Sequence, residues 1–352
     1  MKRESNFEVL RTMAMFFIVI YHCLIRGIDE EHVFIISSPI STFNLLFSTF
    51  MLAISSISVN LYVMISGYFL VDLDFKMSRI VRLWVQACFY SFLISSIMIL
   101  GGVTQFNVVS LCKSLFPLSS DSYWFVTQFV GLLILSPFLA ILVKQLSYRQ
   151  YIGLLIGLAC ICLAILPEFP MGRRFHVAHG NSVWSFAYLF LIAGFIKHHV
   201  KRIPKVKLLL SILIVTILTI ACEIYGGYHH GTVSLCWLDY NSLPFILSVL
   251  VFLYVRQTHV HDSGICNFLV RLAPYSLGVY LIHDHLLVRG WLWKMVSITS
   301  ECEKWVFSII VLSLCITIFL SCILIDAIRK KVFSLLKIDR IIAKSDKWIF
   351  HF

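Results

Sequence analysis

Residues 7–24 of the chain read FEVLRTMAMFFIVIYHCL. As a helix, this stretch is nearly long enough to cross the hydrocarbon core of a bilayer, which takes about 20 residues. It also contains an arginine, Arg11, and a histidine, His22. A charged arginine at the centre of an isolated span costs at least about 2.5–3.5 kcal/mol on insertion scales. The stretch therefore predicts a membrane helix whose polar residues face the inside of a helical bundle or a wet cavity.

The composition extends this prediction to the whole chain. The 352 residues are 59% hydrophobic and 13% charged, whereas ordinary soluble domains are about 25% charged. The mean hydropathy is +0.89, so the chain has too few polar residues to cover a soluble surface. We therefore predict an all-α polytopic membrane protein with about ten transmembrane helices. Apolar stretches place these spans near 8–27, 42–70, 80–101, 123–143, 150–166, 184–196, 208–224, 242–255, 274–295 and 305–327.

The basic residues predict the orientation of the spans. Most of the 29 Lys and Arg residues fall in segments that lie on the same side as the N-terminus in a ten-span arrangement, and cytoplasmic loops carry such an excess. Both termini are therefore predicted to be cytoplasmic. Residues 1–328 are predicted to form one transmembrane domain, and residues 329–352 a basic amphipathic tail on the inner membrane face. The basic residues alternate with the spans, so we expect no nucleic-acid partner.

Cysteine and histidine spacing gives no sign of a structural or metal centre. The 11 cysteines and 13 histidines contain no CxxC pair, no zinc-type spacing and no HExxH motif. We therefore expect neither a disulfide framework nor a metal site.

Arg11 and His22 share one face of the first helix. Eleven residues at about 100° each come to about 20° past three full turns, and the two residues lie about 16 Å apart along the axis. Alternatively, Arg11 reaches the interface and His22 bonds a neighbouring carbonyl. Their common face favours a functional lining.

Two further motifs carry polar residues into apolar surroundings. KMSRIVRLW, residues 76–84, holds Arg79 and Arg82 at a spacing that makes them neighbours on one helix face. They fit either ordinary anchoring at the inner face or a clamp for phosphate, which suits the guanidinium fork. SLGVYLIHDHLL, residues 276–287, holds Tyr280 and His283 on one face, with Asp284 and His285 predicted to face elsewhere.

Intramembrane ionisable residues are candidates for function, although the second motif also fits a wide aqueous mouth. The first and ninth spans both begin inside, so His22 and His283 are predicted at comparable depths and in a shared site.

Two weaker elements complete the pattern. Ser66 and Gly67 near the end of the second span permit close helix contact. Tyr123 and Trp124 open the fourth span, where they also fit a simple aromatic belt.

These motifs, in this order, resemble those of membrane-bound acyltransferase family 3, the integral-membrane O-acyltransferases of bacterial surface glycans. The resemblance rests on Arg11 with His22, Arg79 with Arg82, Ser66-Gly67-Tyr68, Tyr123-Trp124-Phe125 and Tyr280 to His283, and it spans about residues 5–327. Many members carry aspartate where this chain has Glu8, so the acidic charge is kept.

The resemblance implies acyl transfer, with acetyl-CoA as co-substrate, to a hydroxyl of a cell-surface or lipid-linked glycan. It implies His22 and Arg11 as catalytic residues, Arg79 and Arg82 as acyl-CoA phosphate-binding residues, and supporting or acceptor-binding roles for Ser66, Trp124, Tyr280 and His283. His22 would be a general base or carry the acyl group covalently. His283 would orient the acceptor or hold the thioester carbonyl.

The expected setting is the bacterial inner membrane, where the protein is multi-pass. The chain lacks the extracytoplasmic domain that is fused to some members, so we expect it to act alone or with a separate partner. The alternative function is a transporter or flippase that binds an anionic lipid-linked sugar in the same cationic groove.

Overall fold

The computed structural model describes residues 4–28, 39–120, 122–163, 178–229, 242–260 and 263–348, and within these ranges the only regular secondary structure is helical. The first seven helices are α1 Ser5–Arg26, α2 Pro39–Ser55, α3 Ser58–Leu70, α4 Met77–Leu100, α5 Val108–Ser114, α6 Trp124–Gln145 and α7 Tyr148–Cys162. The remaining helices are α8 Val183–His199, α9 Lys205–His229, α10 Leu243–Arg256, α11 Gly264–Leu272, α12 Ser276–His283, α13 Leu286–Met295, α14 Phe307–Leu335 and α15 Ile338–Ala343.

The all-helical membrane architecture predicted from the sequence is confirmed. Seven helical stretches of the described chain are long and apolar enough to cross a membrane: Ser5–Arg26, Pro39–Leu70, Met77–Leu100, Trp124–Gln145, Lys205–Gly226, Gly264–His283 and Phe307–Leu335. Two predicted spans correspond to shorter apolar helices, Tyr148–Cys162 and Leu243–Arg256. A third, near 184–196, corresponds to the 17-residue α8. The total of ten spans and the sides of the termini stay predictions.

The predicted ninth span, 274–295, is displaced. The structure has its apolar stretch at Gly264–His283, so His283 lies at the end of the stretch rather than near its middle. Pro274 interrupts the hydropathy pattern, but it falls in the first turn of a short 3-10 helix, Ala273–Tyr275, where proline is tolerated because the first turn needs no N–H donor. The chain therefore continues as a helix through the proline.

The second membrane stretch is broken. α2 ends at Ser55 and α3 begins at Ser58, with Ser56 and Ile57 in a turn between them. The Ser56 hydroxyl donates a hydrogen bond to the carbonyl of Ala53, at 2.9 Å, which satisfies one of the carbonyls that the break releases. Breaks of this kind at membrane depth occur where the backbone is covered by protein or lines a cavity.

Helix α1 forms the centre of the bundle. It packs against α2, α3, α10, α11, α12, α13 and α14. In its most apolar window 61% of the residues are buried within the protein, compared with 22% for α9. Helix α1 is therefore a core helix, which is why its polar residues face protein and cavities, whereas α9 has the exposure of a peripheral, lipid-facing helix.

The C-terminal segment folds back onto the start of α4. Helix α14 runs to Leu335, so it passes the predicted domain boundary at residue 328 without a break. The Asp346 carboxylate then accepts hydrogen bonds from the backbone N–H and the hydroxyl of Ser78, both at 2.8 Å. The tail is thus attached to the helix that carries Arg79 and Arg82.

Candidate active site

The imidazole rings of His22 and His283 are in direct contact. His22 Nδ1 lies 2.9 Å from His283 Nε2, and the two residues are 7% and 0% exposed. Helix α1 supplies His22, and the last residue of α12 supplies His283. The predicted meeting of these two histidines is confirmed.

The protonation of the two rings follows from one backbone carbonyl. His283 Nδ1 lies 2.6 Å from the carbonyl oxygen of Val279, which can only accept, so this nitrogen carries the proton. In a neutral imidazole the other nitrogen is then an acceptor, and His283 Nε2 accepts from His22 Nδ1–H. A neutral His22 consequently keeps its lone pair on Nε2, the nitrogen that can act as a base.

A carboxylate lies beside the two histidines. Asp284 Oδ1 is 3.7 Å from His22 Nδ1 and forms an ion pair with the guanidinium of Arg26. Helical periodicity predicted that Asp284 faces elsewhere, and this prediction is wrong. Helix α12 ends at His283, and Asp284 leaves helical geometry, so the helical periodicity no longer determines the direction of its side chain.

His22 lines a cavity of about 260 Å³, which we call the histidine cavity. Trp124 and Tyr280, both singled out in the sequence, also line it, whereas His283 lies behind His22 and does not. Among the described residues its walls are Met15, Ile18, Tyr21, His22, Ile25, Arg26, Ser55, Val59, Tyr62, Trp124, Phe125, His179, Asn181 and Tyr280. The cavity is mostly aromatic and apolar, with a few polar groups, as is typical of small-molecule sites.

Arg11, Arg79 and Ser66 line a second cavity of about 260 Å³, which we call the arginine cavity. Arg11 is paired with Glu8 at 2.8 Å, and Arg79 Nη1 donates to the carbonyl of Asp74 at 2.7 Å. The other described walls are apolar: Phe69, Leu70, Leu83, Phe129 and Leu133. Two guanidinium groups in a cavity that is apolar apart from them and Ser66 favour a ligand with an anionic part.

The structure separates Arg82 from Arg79. Arg82 does not line the arginine cavity; its side chain is 60% exposed, and its Nε lies 3.5 Å from Asp339 in the C-terminal segment. The two arginines therefore do not form a joint clamp on one ligand in this conformation.

The two cavities follow one another along the same three helices. On α3, Tyr62 lines the histidine cavity and Ser66, one turn later, lines the arginine cavity. On α6, Phe125 lines the histidine cavity, and Phe129, one turn later, lines the arginine cavity. Helix α1 contributes His22 to one cavity and Arg11 to the other, about 16 Å apart along its axis. An extended ligand with an anionic end and a reactive end fits this arrangement.

Sequence reasoning missed Gly278 and Asp326, whose close contact sets the position of α12. A Cβ atom on Gly278 would lie 2.2 Å from Cγ of Asp326 on α14, so only glycine allows this approach. Asp326 is fully buried and accepts hydrogen bonds from Tyr90, at 2.7 Å, and from Arg329, at 2.8 and 2.9 Å. The signal available in the sequence was an acidic residue, Asp326, within the last apolar span and three residues before Arg329.

Two polar groups of the histidine cavity were likewise not predicted from the sequence. Ser55 Oγ and Asn181 Oδ1 are buried and have no hydrogen-bond partner in the part of the chain that the structure describes. Ser55 stands at the break between α2 and α3, and Asn181 follows the short 3-10 helix Ala178–Gly180. Neither residue belongs to a recognisable motif, so no sequence signal pointed to them.

Comparison with known proteins identifies the class of this site. A sequence profile described as an acyltransferase domain matches residues 4–327, nearly the whole chain. No curated protein and no solved structure matches the chain significantly. The profile match, together with the membrane-spanning helices, means that the chain belongs to acyltransferase family 3 and is a membrane acyltransferase.

Proposed function

We propose that the protein transfers an acyl group, acetyl in the simplest case, from acyl-CoA to a hydroxyl of a cell-surface or lipid-linked glycan, in the cytoplasmic membrane of a bacterium. One observation carries this proposal: the arginine cavity and the histidine cavity lie in succession along α1, α3 and α6. An acyl-CoA has phosphates at one end and a thioester at the other. It could lie along this line with its phosphates near Arg11 and Arg79 and its thioester near His22.

His22 is the general base in this mechanism. Its Nε2 takes the proton of the acceptor hydroxyl while the oxygen attacks the thioester carbonyl carbon. The C–S bond then breaks, the ester forms, and the proton passes from Nε2 to the CoA sulfur. Such a base contributes about 10²–10⁴-fold to a rate, because a neutral hydroxyl attacks a thioester slowly.

His283 and Asp284 support His22 from behind. His283 accepts the Nδ1–H of His22 and so keeps the lone pair at Nε2. When His22 takes up the proton it becomes cationic, and the Asp284 carboxylate 3.7 Å away stabilises that charge. This assignment replaces the carbonyl-holding role that the sequence suggested, because both nitrogens of His283 are already engaged within the protein.

The acceptor would enter the histidine cavity from the end of α1 that carries Arg26. Trp124 and Tyr280 offer aromatic faces there, which suit the apolar face of a sugar ring. We propose that the arginine cavity opens toward the cytoplasm, where acyl-CoA is made, and that a separate extracytoplasmic partner is not needed for the chemical step.

Release of free CoA tests the proposal. Purified protein in detergent is mixed with acetyl-CoA that is radiolabelled in the acetyl group and with a glycan extract from the producing cells. We expect labelled glycan and free CoA thiol in equal amounts from the wild type and neither from His22→Ala. A transporter, the rival function, would bind the glycan but release no CoA.

A further inference from the structure

Orphaned polar atoms in the histidine cavity point to the chemistry of the acceptor. Ser55, Asn181 and Tyr280 line this cavity, and Ser55 Oγ, Asn181 Oδ1 and Tyr280 Oη are buried without a hydrogen-bond partner in the described parts of the chain. Tyr280 already belongs to the aromatic wall proposed for the acceptor, so Ser55 and Asn181 are the two groups that still need a role. Native proteins pair the great majority of such groups. An unpaired buried polar group lowers stability unless a bound molecule satisfies it.

Ser55 and Asn181 come from separate parts of the fold. Ser55 closes α2 at the break in the second membrane stretch, and Asn181 lies between the 3-10 helix Ala178–Gly180 and α8. Broken membrane helices commonly supply substrate contacts, because the break brings polar groups to a cavity. Ser55 meets this condition directly, since it is at once the last residue before the break and a wall of the cavity.

The atoms also restrict what can bind beside them. The Asn181 side-chain oxygen only accepts hydrogen bonds, and the Ser55 hydroxyl both donates and accepts. A carboxylate or phosphate has no proton to offer Asn181 and would place its charge against an acceptor oxygen. A hydrocarbon alcohol has one hydroxyl, and the reaction at His22 uses it. A sugar ring has further hydroxyl or amide N–H groups beside the reacting hydroxyl.

We propose that Ser55 and Asn181 form an acceptor subsite that binds hydrogen-bonding groups flanking the reacting hydroxyl of a neutral pyranose. The subsite selects a neutral polyhydroxylated ring against acidic sugars and simple alcohols. This inference rests on the proposed function, because it assumes that an acceptor hydroxyl reacts at His22.

The test uses purified protein, radiolabelled acetyl-CoA and a defined set of acceptor probes. The set contains neutral methyl pyranosides, their singly deoxygenated derivatives, a methyl glycosiduronate and 1-octanol. Ser55→Ala and Asn181→Leu each remove one hydrogen-bonding group. Ser91→Ala is the matched control, because Ser91 Oγ is likewise buried and without a partner in the described chain but does not line the histidine cavity.

We expect neutral pyranosides to be the preferred acceptors. Loss of one hydrogen bond should raise the acceptor KM about 10- to 100-fold in each cavity variant and leave the acetyl-CoA KM and the Ser91→Ala enzyme unchanged. With the wild type, one singly deoxygenated pyranoside should show the same increase in acceptor KM, about 10- to 100-fold. With the variant that lacks the matching hydrogen-bonding group, the same derivative should show no further increase in KM.

Three results would overturn the subsite. They are unchanged acceptor KM values in both cavity variants, equal transfer to 1-octanol or to the glycosiduronate, and release of CoA to water with no product from any pyranoside. The proposed function fails in a different way: the wild type then releases no CoA with any probe, with glycan extract or with water, and the subsite falls with it.

Discussion

Arg11 on α1 and Arg79 on α4 line the same cavity, whereas Arg82, one helical turn after Arg79, lies outside it. Arg79 Nη1 donates a hydrogen bond to the carbonyl of Asp74, and its guanidinium carries further N–H donors. In the sequence Arg79 and Arg82 are predicted to share one helix face, but in the structure only Arg79 lines the cavity.

Arg79 and Arg82 should therefore separate in a kinetic experiment. We expect Arg79→Ala to raise the KM for acetyl-CoA about 10- to 100-fold, which corresponds to one or two lost charge-assisted hydrogen bonds. Arg79→Lys should recover only part of this loss, because an ammonium group cannot form the bidentate fork. Arg82→Ala, the matched control, should change this KM less than threefold. Equal effects of the two alanine variants would contradict the assignment of the cavity.

His283 should affect turnover and not binding. In His283→Leu the Nδ1–H of His22 loses its acceptor, so the ring no longer keeps its lone pair at Nε2, and we expect kcat to fall at least about tenfold. The KM values for both substrates should stay within twofold, because His283 does not line the cavity. His283→Gln, which retains a side-chain acceptor, should recover part of kcat. A rise in acceptor KM with unchanged kcat would instead place His283 against the substrate.

Removing Asp284 should leave Arg26 without its counter-ion. Asp284 is almost fully buried and forms an ion pair with Arg26, so Asp284→Asn should destabilise the protein by about 1.5–3 kcal/mol. A lowered midpoint of thermal unfolding in detergent measures this loss. Arg26→Gln combined with Asp284→Asn should regain most of the midpoint, because no uncompensated charge is then left. Activity should stay low in the double variant, since His22 still lacks the nearby carboxylate.

Replacement by alanine should destabilise the protein at Gly278 but not at Gly290. A methyl group on Gly278 would meet the Asp326 carboxylate, which three neighbours hold in place. Gly278→Ala should therefore move α12 and with it His283, lower the unfolding midpoint and reduce kcat. In Gly290→Ala on α13 the new methyl group meets nothing within 4 Å, so this variant should unfold at the wild-type temperature or slightly above it. Normal stability and activity of Gly278→Ala would show that α12 can shift without consequence.

The sequence predicts the part of the site that follows helical periodicity. Arg11 and His22 have a fixed spacing on α1, and parallel spans bring His22 and His283 to similar depth, so their meeting could be predicted. Periodicity stops where helices stop, so the inward turn of Asp284 after the end of α12 could not be foreseen. The break after Ser55 could not be foreseen either, because serine fits both a continuous span and a turn.

Contacts between helices that lie far apart in the sequence could not be predicted for another reason. The approach of Gly278 to Asp326 depends on the packing of α12 against α14, and a single chain gives no signal for which helices are neighbours. The division between Arg79 and Arg82 depends in the same way on where the C-terminal segment folds back.

The attachment of that segment has a practical consequence for labelling the protein. Asp346 accepts hydrogen bonds from the backbone N–H and hydroxyl of Ser78, and these bonds, together with nearby cations, hold its pKa below the ordinary value. Such a carboxylate stabilises the attached state at neutral pH and loses this effect only as the pH falls through its lowered pKa. A fluorophore placed near residue 346 would thus sit beside the first turn of α4 and report on ligands that reach Arg79. A bulky fusion at the same end would strain this contact, so a tag that is meant to be silent belongs elsewhere on the chain.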